Sequence, residues 1–369
     1  MAGSTFGNTF KIMTWGESHG KATGVVIDGC PAGLDLKEDD IQSYLNRRKP
    51  GQSEFTTPRK EDDTVEILSG VFEGKTTGTP ISLIVHNRST RSADYSQISN
   101  VYRPGHADYT FDCKYGLRDY RGGGRSSGRE TIGRVAAGAI ALKILKECNI
   151  NILAYTKSIG SVSIDYRRFN SEEIFRNPLY MPDTIAYKKA AWLLEAKIQE
   201  QDSIGGMIEC TIDGMPSGIG EPVFDKLDAN LAKAILSIGA VKGFEIGEGF
   251  NAARLCGSDN NDSFLLNEQK NIIKKTNHSG GVLGGISDGS PIIFRAAIKP
   301  TPSISRNQNT VNKNNEEIDI SIGGRHDPII VPRAVVVVES MAALTIVDLL
   351  LSNMNARMDN IKNFYNFSL

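Results

Sequence analysis

Several things are scarce in this chain, and each scarcity excludes a class of protein. Its 369 residues contain no uninterrupted apolar run of about 18 residues, the length a transmembrane helix needs, so no membrane partner is expected. Residues 1–20 show neither a basic stretch nor an apolar h-region, which argues against a secretory signal and for a cytoplasmic protein. Cysteine is sparse: Cys30, Cys113, Cys148, Cys210 and Cys256 are scattered with no CxxC pair, so they are expected to be reduced, mostly buried thiols. Histidine is equally sparse, five in all, with no HxxxH or HExxH spacing, and no metal site is expected. The formal net charge is −1, which lacks the cationic excess of a general nucleic-acid binder.

What is abundant is glycine, 37 residues gathered into polar loops: GESHG (16–20), RPGHADYT (103–110), RGGGRSSGRE (121–130), NHSGGVLGGISDG (277–289) and GGRHDP (323–328). The richest stretch runs from Tyr115 to Arg134. With Arg103 just upstream it gathers Arg118, Arg121, Arg125, Arg129 and Arg134 around three consecutive glycines, Ser126, Ser127 and the start of a helix. Glycine lets backbone N–H groups approach an oxyanion, a helix N-terminus adds partial positive charge, and arginine forks grip phosphate or carboxylate. Asp119 and Glu130 could pair two of these cations, leaving four or more for a small, strongly anionic ligand.

Between the loops lie ordinary elements. Lys21–Asp28, Thr64–Phe72, Gly206–Ile212 and Pro291–Ile298 have the β-branched, alternating look of strands. From Arg129 to Cys148 the apolar set Ile132, Val135, Ala136, Ala139, Ile140, Ile144 recurs at helical spacing. Tyr187–Gln201, Phe224–Ile238 and about Glu339–Met358 read as further helices, the last following a β-like Ile329–Val338. The apolar stretch Ile329–Leu351 reads as core or interface, with core preferred. Lys157–Asp183 reads as irregular and Ser305–Glu317 as an exposed, mobile Asn-rich loop. Strands and helices do not alternate strictly, which favours α+β over a doubly wound sheet.

Four of the five histidines, His19, His106, His278 and His326, sit in the glycine-rich loops, whereas His86 lies in a strand-like SLIVHN. Histidine is the default proton shuttle near neutral pH, and the placement of His19 and His106 singles them out. Ser18 beside His19 allows a Ser–His–Asp hydrolase in principle, but no GxSxG elbow is present. The GGGR element is neither GxGxxG after a strand nor GxxxxGK[ST]. An RGG-type RNA-binding segment is the alternative from another class; such segments are repetitive, whereas this one occurs once and runs into an amphipathic helix.

Taken together these loops resemble those of chorismate synthases. GESHG, RRKPGQS (47–53), VEILSGVFEGKTTGTPI (65–81), RPGHADYT and KYGLRDYRGGGRSSGRETIGRVAAGAIA carry the resemblance. So do DSIGG, SIGAVKGFEIG, NHSGGVLGGISDGSPI, KPTPSI and GRHDP…VPRAV, in order from residue 5 to about 350. The resemblance implies one domain over residues 1–369, a β-α-β sandwich of antiparallel sheets and helices, assembled as a homotetramer. It implies a carbon–oxygen lyase of aromatic amino-acid biosynthesis, converting 5-enolpyruvylshikimate 3-phosphate to chorismate by anti 1,4-elimination of phosphate. Reduced FMN is required without net redox change.

Carried over residue by residue, His106 resembles the group that protonates the flavin near N1 and His19 the one that protonates departing phosphate. Asp327, with Ser18, resembles the acid that manages the proton at flavin N5. Arg48, Arg103, Arg129 and Arg325 resemble ligands of the substrate anions. FMN contacts are implied at Arg125, Ser126, Ser127, Gly239, Ala240, Gly284, Lys299, Pro300, Thr301, Pro302 and Ser303, and at Arg325. Two positions depart from the family pattern. Glu54 stands where many members carry arginine, and would repel anions unless paired with a neighbour such as Arg59; Gly239 replaces a common asparagine. NADPH is implied only if the protein reduces its own flavin, and Glu54 leans the reading towards an external flavin reductase.

Overall fold

Period-two alternation decides where the strands form and which side of each is buried. The computed structural model describes residues 3–56, 61–88, 98–323 and 327–366. One five-stranded sheet places Thr5–Phe6, Lys11–Gly16, Ala22–Asp28, Ile81–His86 and Val65–Ser69 side by side, all neighbours antiparallel. A second orders Val241–Ile246, Ile292–Ile298, Gly206–Asp213, Asn151–Ile159 and Val162–Ser163, again antiparallel. In Ile292–Ile298 the buried set is Ile292, Phe294, Ala296 and Ile298, the alternation of a strand with one core face.

Eight α-helices are described: α1 (Glu38–Arg48), α2 (Asp108–Tyr115), α3 (Thr131–Glu147), α4 (Thr184–Gln199), α5 (Leu227–Leu236), α6 (Gly257–Asn260), α7 (Val331–Ser352) and α8 (Met358–Phe364). Helix α3 packs on the first sheet, α7 on the second, and the two pack on each other, so the helical layer lies between the sheets. Two glycines permit the close approach. A Cβ at Gly138 would fall 2.3 Å from Ser340 Cβ of α7, and one at Gly133 would fall 3.0 Å from the Gly24 carbonyl of the first sheet. The buried apolar cluster runs through both sheets and both helices. The mixed, antiparallel α+β architecture is the expected one.

Four expectations are corrected. Ile329–Val338 is not a strand: Val331 begins α7, with Pro332 in its first turn, where the missing N–H costs nothing. An apolar run buried on every side carries no period, so its β-branched valines mislead. Helix and 3₁₀ turn together (Val331–Asn355) are long and apolar enough to cross a membrane, yet 78% of the most apolar window is buried within the fold, as for a core helix. Ser305–Glu317 contains the hairpin Gln308–Val311 with Glu317–Ile320. Lys157–Asp183 starts inside the strand Asn151–Ile159 and continues through ordered 3₁₀ turns. Of the five thiols only Cys30 and Cys210 are buried; Cys113, Cys148 and Cys256 are exposed.

Candidate active site

Strand Lys11–Gly16 delivers the GESHG loop to the first turn of α3. Ser18 is buried, its hydroxyl 3.2 Å from His19 Nδ1. The backbone beneath the imidazole is Gly122, φ +66°, where a Cβ would stand 2.3 Å from His19 Cε1. One of the three glycines is therefore explained by close passage under a histidine. Ser127 caps the 3₁₀ turn that leads into α3, accepting from the Arg129 N–H at 3.3 Å.

Five of the six arginines already hold carboxylate partners within the chain, more than their number suggested. Arg103 grips Asp108 through Nε at 2.7 Å and Nη2 at 2.8 Å. Burial alone would raise the Asp108 pKa, but the hydrogen bonds and charge of Arg103 hold it below the usual carboxylate range. Arg118 donates to the carbonyls of Ile98, Ser99 and Val101; Arg121 pairs with Asp119, and Arg134 with Glu130. Arg125 differs, reaching only neutral oxygens: the Gly16 and Thr14 carbonyls and the hydroxyls of Thr14 and Ser4.

Arg48, at the end of α1, and Arg129 meet on one carboxylate. Asp63 Oδ2 lies 2.6 Å from Arg48 Nη2, and Oδ1 lies 3.0 Å from Arg129 Nη1. Glu61 adds a contact of 3.2 Å to Arg129 Nη2. Burial lowers the Arg48 pKa to about 10 against the opposing pull of Asp63. Asp63 moves the other way: burial would raise it, yet the two guanidiniums bring it down. Arg129 Nε also donates to Asn87 Oδ1, and the Asn87 amide donates to the carbonyls of Glu17 and Gly20. This couples the arginine pair to the loop that carries His19.

A second set of loops assembles around Ser303. His106 Nε2 and Ser303 Oγ stand 2.7 Å apart, Lys299 Nζ donates to the Gly105 carbonyl at 2.7 Å, and Gly105 packs on Pro302. The Lys299 N–H donates to the Ala240 carbonyl, and the Ser203 hydroxyl to that of Thr301. Ser303 and Asp327 line one cleft of about 260 Å³, together with Glu54 and Asp202. Asp327 pairs at 2.5 Å with Arg333 Nη1, whose Nε donates to the Arg48 carbonyl. Ser303, the hydrogen-bond partner of His106, thus shares a cleft with Asp327, and Asp327 is tied to the His19 region through Arg333, Arg48, Asp63, Arg129 and Asn87.

Not every expected residue joins these sets. Gly284 sits in the hairpin Val282–Leu283 with Ile286–Ser287, where the Gly285 carbonyl accepts from the Leu227 N–H at the start of α5. Gly239 and Ala240 follow the other end of α5, and a ten-residue helix spans about 15 Å. Lys299–Ser303 likewise leave the far end of Ile292–Ile298. Within one chain, Gly284 is separated from the other implied flavin contacts. Arg325, His326 and Arg59 lie outside the described residues. Glu54 lies inside the cleft, among carboxylates rather than beside a described cation.

Sequence reasoning missed Glu61, Asp63, Asn87 and Arg333, which organise the arginines. The signal for α1 was legible: acidic Glu38, Asp39 and Asp40 open it, Ile41 and Leu45 share a face, and Arg47, Arg48 and then Pro50 close it. An acid shared between arginines from distant segments leaves no local pattern.

The family model described as chorismate synthase matches residues 10–351. The chain is 68% identical to the chorismate synthase of Lachnoclostridium phytofermentans, over 99% of this chain and 100% of that one. It is 53% identical to that of Methanococcus vannielii, over 95% and 97%. A crystal structure of a chorismate synthase superposes with a TM-score of 0.77 at 31% identity, covering 98% of this chain and 97% of the other. With the loops that carry the resemblance folded against one another, and with matches of this extent, the chain belongs to the chorismate synthase family of lyases.

Proposed function

We propose that the chain converts 5-enolpyruvylshikimate 3-phosphate to chorismate. The reaction removes the phosphate from C3 and a proton from C6 across the ring, forming a new double bond with no net oxidation. The observation that carries this reading is contact between segments remote in sequence: 16–20 bonds to 121–131, 103–106 bonds to 299–303, and 327–333 bonds to the end of α1 at Arg48.

In this reading Arg48, Arg103, Arg129 and Arg325 bind the anionic groups of the substrate. His19, held beside Ser18, gives a proton to the departing phosphate. His106, held by Ser303, adjusts the charge on the cofactor ring, and Asp327 with Ser18 handles the proton taken from C6. Reduced FMN, when bound, supplies the electron density that lets phosphate leave an allylic carbon. The residues present suit such a group: Arg125 carries a charge paired only with neutral oxygens, and the space above Gly239 is open. The Thr301 hydroxyl is buried without a hydrogen-bond partner among the described residues, a donor available to a ligand.

Asp202 and Asp327 of the cleft wall are paired with Arg306 and Arg333, and Glu54 is the carboxylate there that opposes a second polyanionic cofactor such as NADPH. We therefore assign flavin reduction to an external reductase. The position of Gly284 fits a homotetramer in which another copy brings its hairpin to the flavin. We place the protein in the cytoplasm, in keeping with its free thiols. An anaerobic assay with photoreduced FMN is expected to yield chorismate and inorganic phosphate in equal amounts. Absence of chorismate under these conditions overturns the reading; chorismate formed in air from NADPH and FMN alone overturns the need for an external reductase.

A further inference from the structure

We infer that Asp63 is a positioning residue that fixes the spacing and direction of Arg48 and Arg129, an inference that rests on the reading of these arginines as substrate ligands. The two cations come from different elements, the end of α1 and the turn before α3, and are packed where like charges repel strongly. A carboxylate between them, one oxygen to each at 2.6 and 3.0 Å, turns that repulsion into a fixed pair. Arg48 keeps a donor beyond this clamp. Its Nε is buried with no hydrogen-bond partner among the described residues, whereas Arg129 Nη2 lies 3.2 Å from Glu61. An ion cluster built only for stability would fill the Arg48 position as well.

The backbone allows the same assignment. Asp63 has φ +48°, a left-handed conformation that glycine and asparagine adopt more readily than most side chains. Its side chain is wholly buried, so the carboxylate cannot face solvent. Aspartate and asparagine both tolerate this backbone, so it does not select the charge, which the two guanidiniums account for. The same fact makes Asp63→Asn a clean probe: it preserves shape and tolerates the backbone while removing the charge.

The test compares wild type, Asp63→Asn and Asp63→Glu in the anaerobic chorismate assay, with direct calorimetric titration of 5-enolpyruvylshikimate 3-phosphate and thermal unfolding of each protein. Asp63→Asn is expected to raise KM and Kd roughly tenfold or more, the loss expected when charge-assisted hydrogen bonds that orient a ligand group are removed, with kcat little changed. Asp63→Glu keeps the charge but displaces it by one methylene, and is expected to raise KM with unfolding temperature near wild type. It reads the proposal even if the neutral variant fails to fold. Unchanged KM and Kd in a folded variant, or tighter binding through loss of a competing anion, would overturn the positioning role alone. A wild-type protein that forms no chorismate removes the reading of the site instead.

Discussion

Two buried carboxylates, Asp63 and Glu209, show how the same kind of group serves two ends. Glu209 lies on the strand Gly206–Asp213 and is surrounded by donors: Tyr166 at 2.7 and 2.8 Å, Lys157 at 2.9 Å, and a short bond from Tyr155, with Arg295 farther off. Its oxygens are saturated by donors from its own sheet and the adjoining Tyr166 turn, two of them neutral hydroxyls. Asp63 faces two arginines from separate segments, and Arg48 Nε is buried there with no hydrogen-bond partner among the described residues. The first arrangement is closed, as a structural cluster should be. The second is left open on the side of the cations, as a binding site requires.

The comparison can be broken by substitution. His106→Ala should lose about 10²-fold to 10⁴-fold in turnover, the range for a proton-transferring side chain, while unfolding at the wild-type temperature. Wild-type rates with excess reduced FMN would remove His106 from the catalytic set. Glu209→Ala should do the reverse. It removes the acceptor of the buried Tyr155 hydroxyl and the carboxylate partner of Lys157, and should cost about 3 kcal/mol or more in denaturant unfolding, with KM unchanged in the folded fraction. A raised KM there would erase the distinction between the two clusters. Gly122→Ala should be smaller in stability, about 1–2 kcal/mol for a left-handed backbone and a clash with His19. Turnover should nonetheless fall about tenfold as the imidazole is displaced, a fall that normal kinetics would contradict.

The weakest expected effect is on acid stability. Burial would raise Glu209, but hydrogen bonds from Tyr155, Tyr166 and Lys157 depress it; Asp63 is likewise depressed by its arginines. A depressed carboxylate contributes stability that is complete above its unfolded value, about 4, and is lost as pH falls through its folded value. Unfolding temperature should therefore drop below about pH 4, and less steeply in Glu209→Gln. An identical slope in that variant would show that Glu209 does not titrate on acid unfolding.

Local pattern made a large part of this molecule readable and long-range pairing hid the rest. The apolar set from Ile132 to Ile144 was periodic and proved to be the buried face of α3. Ile292–Ile298 declared itself by alternation, and Ala22–Asp28 by its β-branched residues, since Ala22 to Val25 are buried in succession. The start of α7 did not, because a helix buried on all sides looks like a buried strand. Glycine-rich loops announced a site: His19 packs on Gly122 of another such loop, whereas His106 bonds to Ser303, outside them. The charge state of the arginines was illegible: Asp63 and Arg48, or Asp327 and Arg333, become partners only once the sheets and helices have closed. A count of cations says nothing about which carboxylates will reach them.

Asp348, in the last third of α7 and almost at the end of the chain, has a carboxylate that accepts the backbone N–H groups of Asn8, Thr9 and Phe10 at 2.7–3.0 Å. The turn between the first two strands is thus latched by a residue that leaves the ribosome some 340 positions later. During synthesis that turn must wait for its acceptor, so the opening of the chain is finished last although it is made first. Amide exchange at Thr9 and Phe10 should report the arrival of α7, and a chain stopped before residue 348 should leave those amides unprotected.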